Sequence, residues 1–333
     1  MPLVLVVGGG SIGERHLRCF QQVGCEVALC EASDERRMAL SRQYGLTRVF
    51  AAVEEATKKR WEGVAICTPA HLHVEHALQL APFTPALLIE KPLCTRIEDA
   101  AKLTAGLAGK VVQIAYVLRA HPAVVQARAW LAAGEIGPLR EVTVAAGQHF
   151  PTFRPAYRQI YYARRETGGG AIQDAATHQF DLIQSLAGRL DWVFCDCAHQ
   201  QLPDVEVEDT VHLVGRTGGG AVLVSLALNQ FMAPNETHVQ LHGGRGSIAI
   251  RLHEQRAGLF RHGDADWTWT EPLVTERDEL FRAQARTFLA AAAGQAPVLC
   301  TLDDGLAALR VNLAALQSAE RREVVPLAQS VIP

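Results

Sequence analysis

The feature that most constrains this 333-residue chain is its opening: an apolar run, Leu3 to Val7, is followed at once by Gly8, Gly10 and Gly13 in the spacing GxGxxG. A buried strand that turns on such glycines and restarts as a helix is the first half of a dinucleotide-binding βαβ unit. The glycines allow a tight turn, close approach of backbone to a pyrophosphate, and helix packing against the strand. The helix N-terminus adds amide donors and partial positive charge. A second apolar run, Glu26 to Cys30, ends at Glu31, and 31 − 13 = 18 positions from the last glycine is close to the interval of about 20 that the fingerprint expects. Pyrophosphate is therefore expected over Gly10, Ser11 and Ile12, and the adenosine ribose against Glu31. A carboxylate there accepts from ribose hydroxyls and repels a 2′-phosphate, so NAD is favoured over NADP. Arg36 and Arg37 are the residues close enough in sequence to accommodate that phosphate.

The alternation continues. Val64 to Cys67, Ala86 to Ile89 and Val111 to Ala115 read as strands buried on both faces, with helical stretches near Ile12 to Gln22, Asp34 to Tyr44, His73 to Leu80 and Ile97 to Leu107. This order predicts an α/β Rossmann domain with a parallel doubly wound sheet over residues 1–119. After Arg119 the pattern changes. A helix is expected from Pro122 to Ala133, then strands at Leu139 to Ala146, Val205 to Gly215, Ala221 to Leu228, Thr237 to Leu241 and Ser247 to Leu252, joined by glycine-rich turns. Residues 120–333 thus read as an α+β domain with a large, mostly antiparallel open sheet, closed by an amphipathic helix from Thr301 to Ala319 that is free to pack back on the first domain. Two domains also suit a length beyond which a single core rarely grows.

Composition narrows the partners. A net charge of −3 gives no electrostatic reason to bind nucleic acid or an anionic membrane, and no apolar run is long enough to span one. The eight cysteines are scattered without a CxxC pair, and the chain enters its first strand without a charged leader, which points to a reducing cytoplasm. A small molecule is the expected partner.

Three segments carry further chemistry. Glu90, Lys91 and Pro92 stand at the carboxyl end of a strand, where open α/β sheets bind ligands. Thr68, Pro69 and His73 follow another strand end. In the run GGGAIQDAATHQFD, Gly168 to Asp181, Asp174 and His178 lie four apart and so share one face of a helix. A nicotinamide dinucleotide exchanges hydride with an alcohol or carbonyl carbon, and the accompanying proton transfer needs a base near its working pKa. His178 is the better candidate, with Lys91 able to polarise the same oxygen or to take the proton itself, and Asp174 able to orient His178 or bind a neighbouring hydroxyl. The sequence leaves the proton acceptor open between Lys91 and His178. Tyr116, Arg119, His121, Arg154, Tyr157, Arg158, Tyr161, Tyr162 and Arg164 concentrate hydroxyl and guanidinium groups suited to a polyhydroxylated or anionic substrate, with Tyr116, Arg119, Arg158 and Tyr161 as the expected binding residues. His71, His73 and His76 lack the spacing of a histidine metal motif, and no metal site is expected.

Taken together, these motifs resemble the Gfo/Idh/MocA family of glucose-fructose oxidoreductase and inositol 2-dehydrogenase: GxGxxG at Gly8, TPxxxH at Thr68, EKP at Glu90 and GGGxxxDxxxHxxD at Gly168 follow in the same order. Ala176 departs from the pattern, where glycine is common, but keeps the small size. The resemblance implies a dehydrogenase or reductase acting on a sugar, sugar acid, nucleotide sugar or cyclitol. It implies Lys91, Asp174 and His178 around the reacting carbon, and Thr68, Pro69, His73, Glu90 and Lys91 at the cofactor. It also implies an open sheet that often serves as the interface of a homodimer or homotetramer. A redox glycosidase or epimerase that oxidises its substrate transiently, and a non-catalytic dinucleotide or sugar sensor, are the alternatives. Intact acid/base side chains argue against the sensor.

Overall fold

In the computed structural model the described residues are 1–272, 276 and 278–327. They form two compact units: Met1–Val117 with the described part of Thr275–Leu306, and Leu118–Val274 with the described part of Ala307–Pro333.

The first unit is built on six parallel strands, β1 (Leu3–Val7), β2 (Glu26–Cys30), β3 (Val49–Phe50), β4 (Gly63–Ile66), β5 (Ala86–Ile89) and β6 (Val111–Ile114), in the order β3-β2-β1-β4-β5-β6. The order reverses beside β1, which makes the carboxyl ends of β1 and β4 the topological switch point where such sheets take dinucleotides. Most residues of these strands are apolar and buried, as helices on both faces require. Those helices include α1 (Ser11–Gln22), α2 (Asp34–Tyr44), the single turn α3 (Val53–Ala56), α4 (His73–Leu80) and α5 (Ile97–Gly106). α2 starts on a Ser33 side chain that accepts from the Arg36 amide and stops at Gly45 in the left-handed region. A late helix, α9 (Glu279–Ala292), also belongs to this unit, and its Phe288 packs with Val4, Phe20 and Ala65 in the core. A Cβ on Gly63 would stand 2.8 Å from the Phe288 ring, so β4 needs glycine where α9 crosses it.

The second unit carries nine strands: β7 (Leu139–Gly147), β8 (Leu190–Ala198), β9 (Thr210–Thr217), β10 (Val222–Asn229), β11 (Glu236–Gly243), β12 (Gly246–Arg251), β13 (Arg256–Arg261), β14 (Thr268–Trp269) and β15 (Val325–Pro326). Their order is β14-β13-β12-β11-β7-β10-β9-β8-β15, antiparallel throughout except for the β7–β10 pair. Alternation along each strand turns Val142, Val144, Leu213, Leu226 and Ile250 into the core, with α6 (Pro122–Ala132), α8 (Thr177–Ala187) and the later part of α10 (Leu302–Arg321) supplying the other side. The opposite face leaves Phe194, Val214 and Leu223 exposed. A short helical turn, α7 (Phe150–Phe153), leads out of β7 toward the segment before Gly168. Helix starts follow local chemistry. His121 caps α6 by accepting the Ala123 amide, with Pro122 at the first helical position, and Thr301 and Asp304 exchange side-chain and backbone bonds at the start of α10.

The expected strand Val205 to Gly215 begins at Thr210 instead. The Asp209 carboxylate accepts the amides of Gln200, Gln201 and Leu202, which holds the preceding chain in a loop.

Candidate active site

In the first unit the glycine turn is built as backbone against backbone. Gly8 has φ +93°, and a Cβ there would lie 2.9 Å from the Cys67 carbonyl oxygen; one on Gly13 would lie 1.8 Å from that of Gly8. A Cβ on Gly10, the residue before α1, would meet nothing within 4 Å. The first turn of α1, with Ser11 and Ile12, therefore starts beside open space with amides that the helix itself cannot satisfy. Glu31 closes the other side. One carboxylate oxygen accepts the Gly9 amide at 2.6 Å and the other the Ser33 amide at 2.8 Å, so the side chain locks the glycine turn to the start of α2. Arg36 stands 3.8 Å from that carboxylate and is half-exposed, whereas Arg37 donates to the Glu31 carbonyl at 2.7 Å and pairs with Asp34. A glycine cradle with clear space, a helix N-terminus and a fixed carboxylate at the end of β2 fit a dinucleotide whose ribose carries free hydroxyls.

Glu90 and Lys91 follow β5. Glu90 is buried; one oxygen binds His16 Nε2 on α1 at 2.7 Å and the other accepts the Lys91 amide at 3.1 Å. Burial pushes the Glu90 carboxyl up, but His16 and Lys91 outweigh it and hold it below the usual carboxylate range. Glu90 thus fixes the backbone from which Lys91 projects. His73, also buried, spans two loops: Nε2 lies 2.7 Å from the Thr68 carbonyl and Nδ1 3.1 Å from the Pro92 carbonyl. Burial holds its pKa down. Its role here is to brace the turn after β4 against the turn after β5. The Thr68 hydroxyl contacts His76 Nδ1 at 3.2 Å, and Pro69 begins the short turn Ala70–Leu72. Tyr116 is buried, its amide on the Ile114 carbonyl.

In the second unit Asp174 sits in a single π-helical turn, Ile172–Ala176, which runs directly into α8 carrying His178. Such turns put one extra residue into the helix and recur at functional sites. Asp174 is buried; the Tyr161 hydroxyl donates to its Oδ1 at 2.5 Å, and Arg154 stands 3.7 Å from Oδ2. The glycine run makes this possible. A Cβ on Gly169 would lie 2.2 Å from the Tyr162 carbonyl oxygen, and one on Gly170 2.4 Å from the Glu208 carboxylate. Glu208 is buried under the turn, accepting the Ile172 amide at 3.0 Å and reaching Arg165 at 3.2 Å.

Two expected substrate residues are placed otherwise. Arg119 is buried with its guanidinium forked onto Asp181, at 2.6 to 3.1 Å, inside the second unit. Arg158 lies over the Tyr157 ring and pairs with exposed Asp204 at 3.1 Å and the Pro203 carbonyl at 3.3 Å, so Arg154 rather than Arg158 reaches Asp174. Tyr157 and Tyr162 pack with Phe150 in a small aromatic cluster. His121 is a helix cap and Arg164 hands its carbonyl to Gly169 and Thr167. Sequence reasoning missed His16 and Glu208. Each is a polar residue on an otherwise buried stretch, a signal that only its tertiary partner makes readable.

The first unit is an NAD-binding domain: residues 3–117 match a family model described as an oxidoreductase family with an NAD-binding Rossmann fold. Residues 124–249 match the model of the GFO/IDH/MocA C-terminal domain, and the chain belongs to the Gfo/Idh/MocA family of oxidoreductases. Among its relatives, inositol 2-dehydrogenase of Rhizobium meliloti is 24% identical over 96% of this chain and 97% of its own length. The 1,5-anhydro-D-fructose reductase of Ensifer adhaerens is 26% identical over 94% and 95%. Levoglucosan dehydrogenase, solved in complex with NADH and levoglucosan, shares the fold with a TM-score of 0.90 at 21% identity, covering 98% of this chain and 100% of that one. No helix among the described residues is long and apolar enough to cross a membrane.

Proposed function

We propose that this oxidoreductase oxidises a ring hydroxyl, or reduces the corresponding carbonyl, of a sugar, sugar acid, nucleotide sugar or cyclitol, with Lys91, Asp174 and His178 as its catalytic residues. The observation that carries the reading is Asp174: a buried carboxylate on a π-turn, held by a phenol and faced by a guanidinium, four residues before a histidine on the continuing helix. A surface ion pair needs neither that burial nor that irregular turn. The relatives' names support the substrate class, since inositol, 1,5-anhydro-D-fructose and levoglucosan are all polyhydroxylated.

NAD, when bound, supplies the hydride acceptor. The chain's own part is to hold the hydroxyl and take its proton as the C–H bond breaks, which requires a base beside the oxygen and a cation where negative charge develops. Lys91, with its backbone fixed by Glu90, supplies the cation, and His178 the base; the roles exchange if the lysine loses its proton on substrate binding. Asp174 orients the substrate through a neighbouring hydroxyl. Tyr161 and Arg154 belong to the same binding surface through their contacts with Asp174. The exposed apolar patch of Phe194, Val214 and Leu223 on β8, β9 and β10 fits the interface of a homodimer or homotetramer, and the free cysteines fit a reducing cytoplasm.

The test is a panel of cyclitols, anhydrosugars, aldoses, sugar acids and nucleotide sugars incubated with NAD. Stoichiometric NADH formation on one of them is expected. Turnover without net NADH would point instead to transient oxidation during cleavage or epimerisation, and no turnover on any class would remove the reading.

A further inference from the structure

We propose that Glu236, His238 and His253 form a zinc-class divalent metal site on the outer face of the second unit's sheet. Glu236 and His238 are two apart on β11, and strand geometry sends both to one face. Val239 and Leu241 turn into the core, which places His238 on the other side. His253 comes from the turn between β12 and β13, brought beside β11 because His238 pairs with Arg251 and Leu252 donates to the Thr237 carbonyl. The imidazoles lie 4.6 Å apart between centroids, and Glu236 Oε2 is 3.2 Å from His238 Nε2. One ligand atom from each of the three falls within 4.8 Å of the others. Tetrahedral zinc with bonds of about 2.1 Å spaces its ligand atoms by roughly 3.4 Å. The Glu236–His238 edge, at 3.2 Å, is close to that length, and the third ligand has to close by no more than about 1.4 Å.

A second layer supports the set. Nδ1 of His253 lies 3.3 Å from the Thr237 carbonyl. A hydrogen on Nδ1 donated there leaves the Nε2 lone pair for a metal, the usual way a protein orients a ligating histidine. Nδ1 also lies 3.2 Å from the Thr237 amide, so the metal-free ring has a competing tautomer and binding selects between the two. Glu254, engaged by Arg251 and Arg256, lies 3.5 Å from His253 Nε2, and a metal would take its place at that nitrogen. Two imidazoles and one carboxylate suit zinc, cobalt or nickel over magnesium or calcium, and leave a coordination position open to water or an added ligand. Bound metal would clamp the β12–β13 hairpin to β11. The site shares no residue with the proposed catalytic set.

The test is titration of the metal-stripped full chain with zinc by calorimetry, and with cobalt by visible absorption. One ion per chain is expected, with a tetrahedral cobalt spectrum and a rise in melting temperature. His238→Ala and His253→Ala should each weaken binding at least tenfold, while His242→Ala, farther along the same strand, leaves it unchanged. His238→Gln and Glu236→Gln, checked for native circular dichroism, serve if an alanine variant misfolds. No stoichiometric binding, or binding that survives both histidine changes, as at a cysteine site, overturns the proposal.

Discussion

Tyr161 donates its phenolic hydrogen to Asp174 across 2.5 Å, from a short turn thirteen residues earlier in the chain. That bond joins the segment before the glycine run to the helix that follows it, across a turn in which Gly169 faces the Tyr162 and Arg164 carbonyls and Gly170 the Glu208 carboxylate, leaving neither room for a side chain. A hydrogen bond to a carboxylate contributes about 1.5 to 3 kcal/mol. Tyr161→Phe is therefore expected to lower kcat/KM by roughly 10- to 100-fold while NAD affinity stays constant. Steady-state kinetics with a cofactor titration checks it, and wild-type kcat/KM would separate Tyr161 from the chemistry.

The two arginines of that segment are expected to behave differently. Arg154 faces Asp174 at 3.7 Å, while Arg158 is spent on Asp204 at the surface. Arg158→Ala should change kcat/KM by less than about 0.5 kcal/mol, as surface substitutions do. Arg154→Ala should lower it by more than about 1 kcal/mol, the scale of a charge-assisted contact. Equal effects would contradict the geometry.

Cofactor choice rests on Glu31. Its carboxylate is fixed by the Gly9 and Ser33 amides at the end of β2, where the fingerprint expects the ribose hydroxyls, and Arg37 is occupied by the Glu31 carbonyl and Asp34. Wild type should bind NAD more tightly than NADP, and Glu31→Ser should shift the ratio of dissociation constants toward NADP by at least tenfold, with Arg36 freed to meet the phosphate. Tighter binding of NADP by wild type would overturn this account.

His121 supplies a pH-dependent contribution to stability. Burial pushes its imidazole down to about 4, against about 6.5 for a free histidine. The unfolded chain therefore binds the proton more tightly. The contribution is complete above about pH 6.5 and is lost as pH falls toward 4, reaching about 3 kcal/mol. His121→Asn retains a cap for α6 without the titration. Urea unfolding at several pH values should show the gap between wild type and variant narrowing by that amount on acidification; parallel pH profiles would exclude it.

Much of the first unit was legible in the sequence because both faces of its sheet are covered. Continuous apolar runs named β1, β2, β4, β5 and β6, and the glycine spacing set the turn after β1. The two-residue β3 carries too little signal. In the second unit one sheet face is open, and β8 escaped notice because it places Phe194 outward and Asp191 and Asp196 among its residues, blurring the alternation. α9 lies after the second unit's strands in sequence yet belongs to the first unit, a return that chain order does not reveal. For the site, motif spacing nominated Lys91, Asp174 and His178, the residues proposed above as catalytic. It did not reveal that Glu90 bonds His16 or that Arg119 is held by Asp181, since each depends on a partner 74 or 62 residues away.

In the proposed reaction Lys91 and His178 act on the substrate's hydroxyl and not on the cofactor. Its most direct test measures, for Lys91→Ala and His178→Ala, the rate of NADH formation on a substrate found in the panel together with the NAD dissociation constant. The expected result is a fall in kcat of at least 100-fold in each variant, the lower range for a general acid or base, with NAD affinity within about twofold of wild type. Full turnover in both variants, or loss of activity explained by loss of NAD binding, would contradict it.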